Sequence, residues 1–384
     1  METTASAIPT IEIASPTATQ VIAPSTVVAP RRVRPVSLYD LTFAELSDRL
    51  ATLAAPAYRA TQLSEWAYRH LATDYATMTS LPAALRERLA ETLPLSSLEP
   101  VRELSADGGE TVKTLYRTVD GHLVETVLMF YPDRVTVCVS CQVGCAVGCA
   151  FCATGLGGLA RNLTAGEMVA QVVDAARGAR QRGRTLSNVV MMGMGEPFQN
   201  YAETLRFVRI LHEPKGLNLG ARRITISTSG IVPRIDALTE EPFQVNLAVS
   251  LHAPNDELRD RLVPINKRWP VADLLAACRR YVARTGRRVS FEYALMAGIN
   301  SDDAIATELA EMLSRSGVLC HVNVIPYNPV DVLAFERPTP EQIERFAAIL
   351  RAGGIPTTVR YSRGLDIAAA CGQLRARREA ATTG

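Results

Sequence analysis

Beyond residue 137 the sequence alternates short strand-like runs with amphipathic helical stretches, a pattern that few folds accept. The strand-like runs stand at residues 188–192, 223–227, 244–251, 288–295, 321–325 and 357–361. Between them, helical spacing of apolar residues marks stretches such as 165–182 and 340–350, because residues three and four apart share one helix face. With a further strand at 134–138 this makes about six β/α units. The expected fold class is therefore α/β, with a parallel sheet curled into an incomplete (β/α)6 barrel. In such barrels functional groups gather where strands end and loops begin.

The strand at 134–138 leads into a stretch, residues 138–162, that holds five of the eight cysteines. Cys145, Cys149 and Cys152 follow the spacing C-x3-C-x2-C, which puts three thiolates on one short loop. Three soft ligands with no evident fourth suit an iron–sulfur cluster that keeps one iron open. A structural zinc would ordinarily take four ligands from two C-x2-C pairs a dozen or more residues apart. Here Cys138/Cys141 and Cys149/Cys152 have only seven residues between them, and zinc stands as the alternative. Crowded cysteines in a chain of this size, with no secretory signal, point to metal or redox chemistry in a reducing cytoplasm, not to a disulfide scaffold.

At 384 residues there is room for a large domain and a small one. A hydrophobic share of 47% and a formal charge of +2 describe a soluble globular protein, and because arginines cluster locally the net charge alone says little about nucleic acid. No apolar run of about 18 residues occurs, so no membrane span is expected. Residues 1–36 are rich in Ala, Thr, Ser and Pro and read as a disordered tail. Residues 37–98 read as a helical accessory domain. In it Ser37 or Asp40 caps a helix with Leu46 and Leu50, Thr61 caps a second with Leu63 and Trp66, and a third ends before Pro94. Its Trp66, Tyr68 and Arg69 read as core and rim. Within residues 99–137, the runs 111–118 and 122–130 roughly alternate apolar and polar side chains about Asp120-Gly121, a hairpin signal. Glu125 falls in its second strand, where a glutamate ordinarily just faces solvent.

Four strand ends carry polar or glycine motifs: Gly193-Met-Gly-Glu-Pro197, Ser227-Thr-Ser-Gly230, Ser250-Leu-His-Ala-Pro254 and Pro326-Tyr-Asn-Pro329. Singly each is turn chemistry, and one histidine after a strand, such as His252, is more often structural than a ligand. Together they would ring the mouth that receives the cysteine loop. Carboxylate, hydroxyl, imidazole and amide groups around an open iron suit an amino acid-like cofactor carrying a nucleoside, S-adenosylmethionine.

Residues 138–162, these strand-end motifs, Val263-Pro-Ile-Asn-Lys267 and Ala370-Cys-Gly-Gln373 resemble the radical S-adenosylmethionine RNA methyltransferases that methylate adenine carbon 2. The resemblance runs from about Ser37 to Arg375. It implies a radical-SAM barrel over residues 138–365, preceded by the helical domain, with RNA contact, and the hairpin extension. A C-terminal segment, 366–384, would carry a reactive Cys371 and a basic tail. Cys145, Cys149 and Cys152 would hold a [4Fe-4S] cluster. Gly195, Glu196, Ser227, Ser250, Leu251, His252 and Asn328 would bind S-adenosylmethionine, two molecules per turnover. By the same likeness Cys371 accepts a methyl group and becomes bonded to the RNA base. Glu125 accepts the proton from the base carbon, and Cys138 resolves the adduct through a disulfide with Cys371. The implied partners are 23S rRNA at the peptidyl-transferase region, tRNA at the adenosine after the anticodon, and an electron donor such as flavodoxin or ferredoxin.

Cys141 replaces the usual small hydroxyl residue of the family and has no assigned role, while Cys278 and Cys320 read as core. Arg161, Arg182, Arg184, Arg222, Arg223, Lys267, Arg268, Arg287, Arg288, Arg375, Arg377 and Arg378 could contact phosphates, although scattered arginines more often form a solvated surface. Two rival functions share parts of this pattern. One is methylation of carbon 8 of the same rRNA adenine, and the other is a zinc-containing RNA-binding assembly factor.

Overall fold

The structure, a computed structural model, describes residues 34–375, so most of the expected 1–36 tail and Arg377 and Arg378 lie outside the described residues. At the N-terminal end Thr42 caps α1 (Phe43–Thr52) through a reciprocal bond with Glu45, which satisfies free N–H groups of the first turn. Ser37 instead closes a separate 3₁₀ turn at Leu38–Asp40. The expected single helix is thus two pieces. Helix α2 (Tyr58–Ser64) begins ahead of Thr61 and continues through a wider turn to Leu71, whose left-handed backbone ends it. α3 (Ala83–Thr92) completes the helical set. Tyr68 is buried against Tyr39 and Trp66 bonds Ser80, consistent with core and rim.

Next comes an antiparallel ribbon of β1 (Leu98–Ala106), β2 (Thr111–Thr118) and β3 (Leu123–Phe130). The hairpin was legible. Its outer strand β1 was not, because Glu99, Pro100, Arg102 and Glu103 break apolar alternation and the pairing slips at Pro100. Such bulged, charged strands suit a sheet edge. β3 pairs with β4 (Val135–Cys138), which sets Cys138 opposite Val127. A small pair, β5 (Gln142–Gly144) and β6 (Leu159–Asn162), clamps the base of the cysteine loop. Gly144 has φ +78° there, and a Cβ on it would run into the Gly158 carbonyl.

From this point helices and parallel strands alternate: α4 (Ala165–Gln181), β7 (Asn188–Met191), α5 (Tyr201–His212), β8 (Ile224–Thr228), α6 (Val232–Thr239), β9 (Asn246–Ser250) and α7 (Asp256–Leu262). They are followed by α8 (Val271–Thr285), β10 (Val289–Leu295), α9 (Asp303–Ser316), β11 (Cys320–Pro326), α10 (Pro340–Ala352) and β12 (Thr357–Val359). One ten-stranded sheet runs β1-β2-β3-β4-β7-β8-β9-β10-β11-β12, parallel from β4 onward. The order matches the (β/α)6 expectation, with helical crossovers delivering each strand parallel to the last. The sheet's parallel part is apolar: Val189, Ile226, Val249, Phe291 and Val324 are all essentially inaccessible. Residues 364–375 form an irregular strap after β12. No helix among the described residues is long and apolar enough to cross a membrane.

Candidate active site

The ends of β7 to β11 surround one cavity. Its lining includes Cys145, Cys149 and Cys152 with Gly195, Glu196, Ser227, Ser250, His252, Asn328 and Cys371. Of the cofactor residues expected from sequence, Leu251 alone is missing from this wall. Its side chain is fully buried.

The β5–β6 clamp and a bond from Ala150 N to Leu262 O hold the cysteine loop. Burial pushes the Cys145 thiol up to about 11 and raises Cys149 further. A bound cation reverses that preference and favours thiolates. No trio of His, Cys, Asp or Glu among the described residues is arranged around a single metal ion. Three thiols on one cavity wall suit an iron–sulfur cluster with one open iron, whereas a structural zinc ordinarily takes four ligands.

Opposite the loop, Gly195 adopts φ +105° and packs so closely on Gln142 that a Cβ would clash. The turn lets the Glu196 N–H donate to Gln142 Oε1 at 2.8 Å. The Glu196 carboxylate accepts from Phe198 N at 3.0 Å and Ser229 N at 2.7 Å. Burial still lifts its carboxyl above the usual range. His252 has φ +62° and its Nδ1 accepts the Ala294 N–H at 2.9 Å. Its ring stands edge-on to Phe151 at 4.7 Å. Burial pushes this imidazole down to about 3, so it is neutral, with its proton on Nε2.

Three buried polar atoms on the wall have no protein partner: Ser229 Oγ, Tyr327 OH and Asn328 Oδ1. Buried polar groups ordinarily find partners. These orphans, between the apolar Met191, Met192 and Ile325, fit a ligand with both polar and apolar parts.

Two contributors were not foreseen. Arg259 is fully buried on α7 and donates to Leu251 O, Asn266 Oδ1, Ser229 O and Ser250 O at 2.7–3.0 Å. It ties two strand ends together from behind. The only sequence hint is its place between two motifs, Ser250–Asn255 and Val263–Lys267. Glu292 also lines the cavity, bonded to Asn323 at 2.8 Å and facing Arg360 at 3.5 Å. A glutamate inside a strand carries no such signal.

Cys371 sits where two cavities meet. It shares the first with the three loop cysteines and the second with Cys138, Met129 and Arg360. All eight cysteines are free thiols. Cys138 is buried and Cys371 is exposed. Burial raises the Cys138 thiol well above its usual range, while the Arg360 guanidinium pulls the other way. Cys371 is held through its backbone, its carbonyl accepting from Asn328 Nδ2 at 3.0 Å and the next carbonyl from Ala153 N at 2.7 Å. Glu125 lines a third cavity, of about 1170 Å³, with Lys113, Gln373 and Arg375. Cys141 is buried and lines none of the three cavities, and Cys278 and Cys320 are core as expected. Of the candidate phosphate-binding arginines, Arg161 is committed to Asp120 and Glu167. Arg184 is bonded to Tyr131 O, while Arg375 lines the third cavity.

Comparison with known proteins agrees with this arrangement. The radical SAM superfamily profile matches residues 139–310, and the ribosomal RNA large subunit methyltransferase N-terminal domain matches 36–94. A crystal structure of a radical SAM methyltransferase from Sphaerobacter thermophilus is 68% identical, with a TM-score of 0.87 over 89% of this chain and 99% of that one. The barrel and its cysteine loop are thus those of a radical SAM enzyme. Relatives named "Probable dual-specificity RNA methyltransferase RlmN" are 50% identical in Chloroflexus aurantiacus, over 88% of this chain and 93% of theirs. Those in Thermobifida fusca are also 50% identical, over 91% and 98%. The chain belongs to the RlmN family of radical SAM RNA methyltransferases. An RNA methyltransferase replaces the zinc-containing assembly factor as a reading.

Proposed function

We propose that this enzyme methylates carbon 2 of adenine in 23S rRNA, at the peptidyl-transferase region, and in tRNA next to the anticodon. Cys371 at the junction of two cavities is the observation that carries the reading. One side opens toward the thiols of Cys145, Cys149 and Cys152, which would hold a [4Fe-4S] cluster. The wall from Gly195 to Asn328 would hold S-adenosylmethionine. When bound, these groups supply two things, a methyl group and a one-electron route for attaching it to an electron-poor carbon.

The chain's own residues do the remainder. Cys371 carries the methyl group on Sγ and becomes joined through it to the base. Glu125 receives the proton lost from carbon 2. The Cys138 thiolate attacks Cys371 Sγ, forming an S–S bond. The broken S–C bond leaves its electron pair on carbon, which takes a proton to complete the methyl group. Reduction of the disulfide by an external thiol restores both cysteines. One S-adenosylmethionine as methyl source and a second as hydrogen acceptor make two per turnover, with flavodoxin or ferredoxin supplying electrons.

The test is nucleoside mass spectrometry of 23S rRNA after anaerobic reaction. The expected product is 2-methyladenosine, and 8-methyladenosine in its place would sink the assignment. With Cys138→Ala the expected product is an RNA-linked protein that survives denaturing electrophoresis.

A further inference from the structure

A carboxylate that takes a proton from a base carbon needs one oxygen held and the other free. Glu125 has that arrangement. On the β2–β3 ladder Lys113 faces Val127 and Leu115 faces Glu125, so Lys113 and Glu125 are diagonal neighbours on one face. Lys113 Nζ lies 3.0 Å from Glu125 Oε1, with the two side chains 11% and 7% exposed. Glu125 Oε2 is buried without a partner in the large cavity. The same Nζ donates to Ala368 O at 3.3 Å, on the strap three residues before Cys371.

We propose that Lys113 is a positioning residue that fixes Oε1, turns Oε2 toward the base and registers it against the strap. The proton leaving the base carbon goes to Oε2 and its electron pair stays on the base. Lys113 neither gives nor takes a proton. Its bond to Ala368 is not what keeps Cys371 in place. The strap is also held by Gly364 N on Asp107, Gly372 O on Ala153, Leu374 O on Thr154, Cys371 O on Asn328 and Gln373 on Pro329.

This inference rests on Glu125 as proton acceptor, and the experiment separates the two. Full-length protein, anaerobically reconstituted, is compared with Lys113→Gln, Lys113→Met, Lys113→Arg and Glu125→Gln on a transcript of the peptidyl-transferase-region hairpin. The readouts are the methyl mass on the Cys371 peptide and the amount of RNA-linked protein over time. Lys113→Gln and Lys113→Met are expected to keep methylated Cys371 and to release RNA roughly tenfold to a hundredfold more slowly. Lys113→Arg is expected to restore release. Release at the wild-type rate from the Gln and Met variants overturns the proposal, and so does an Arg variant as slow as the Met one. Loss of methylated Cys371 overturns it too, since Lys113 would then merely anchor the strap. If Glu125→Gln accumulates no RNA-linked protein, the proton-acceptor reading itself falls.

Discussion

The wall of the cofactor cavity and the strap that carries Cys371 are built in opposite ways. The wall comes from strand ends locked by the parallel ladder, with Arg259 bonding two of those ends from behind. The strap has no regular structure and is fixed by isolated bonds to Asp107, Lys113, Ala153, Thr154, Asn328 and Pro329. A cofactor site needs one geometry held precisely, which a rigid scaffold supplies. On the proposed mechanism Cys371 would meet methyl donor, base and Cys138 in turn, which calls for two open sides. An irregular segment between two cavities gives it both.

The largest expected effect isolates the strap. Cys371→Ala should abolish both product and RNA-linked protein, whereas its exposed side chain makes the change nearly neutral for stability, within about 0.5 kcal/mol. An active Cys371→Ala variant would end the two-cysteine scheme. In the wall, function and stability should fall together. Arg259→Leu leaves the carbonyls of Ser229, Ser250 and Leu251 without that donor, at a cost of about 3 kcal/mol. Bound iron and S-adenosylmethionine affinity should drop with it. If Arg259→Leu unfolds at the wild-type temperature yet fails to bind cofactor, the wall does not depend on a scaffold locked from behind.

The same contrast sets how much the sequence reveals. The barrel was readable because parallel strands buried on both faces show as apolar runs between helical periods. The wall was readable because strand-end turns need Gly, Ser, Asn and Pro at particular places, as at Gly195 with its φ of +105°. Without the family resemblance, Glu125 and Cys371 had no signal of their own. Their placement depends on a pairing of β2 with β3 and on a strap more than two hundred residues further on. Arg259 and Glu292 were missed because a buried charge shows only once its partners are folded around it. Leu251, expected with its motif, packs its side chain in the core, outside the cavity's lining.

A smaller effect, legible in pH, tests whether the wall is already set before cofactor binds. His252 is held neutral down to about 3, against an ordinary 6.5. Between those values the unfolded chain binds a proton that the folded chain refuses, so this residue's contribution is full above about 6.5 and is lost as pH falls. His252→Asn removes the titration while keeping an acceptor for the Ala294 N–H. Stability of the wild type should fall by roughly 1–2 kcal/mol more than that of the variant between pH 6.5 and 5, measured by denaturant unfolding without cofactor. Parallel curves would mean that His252 is hydrated and that cofactor binding is needed to order the wall.

The smallest effect concerns Cys141, which lies in sequence between Cys138 and the loop cysteine Cys145 and belongs to neither cavity. Its side chain is 2% exposed, while its backbone N–H donates to Met194 O and its carbonyl accepts from Leu163 N and Asn200 Nδ2. Those bonds use main-chain atoms, so Cys141→Ala should retain all of them and lose only the packing of one sulfur, about 1 kcal/mol. Iron content, the yield of methylated nucleoside and the amount of RNA-linked protein should stay at wild-type levels. A loss of iron as deep as that in Cys145→Ala would make Cys141 a ligand. A persistent RNA adduct would make it a second resolving thiol. Either result would erase the boundary between wall and strap, because Cys141 would then have to leave the core and enter a cavity that its buried position does not reach.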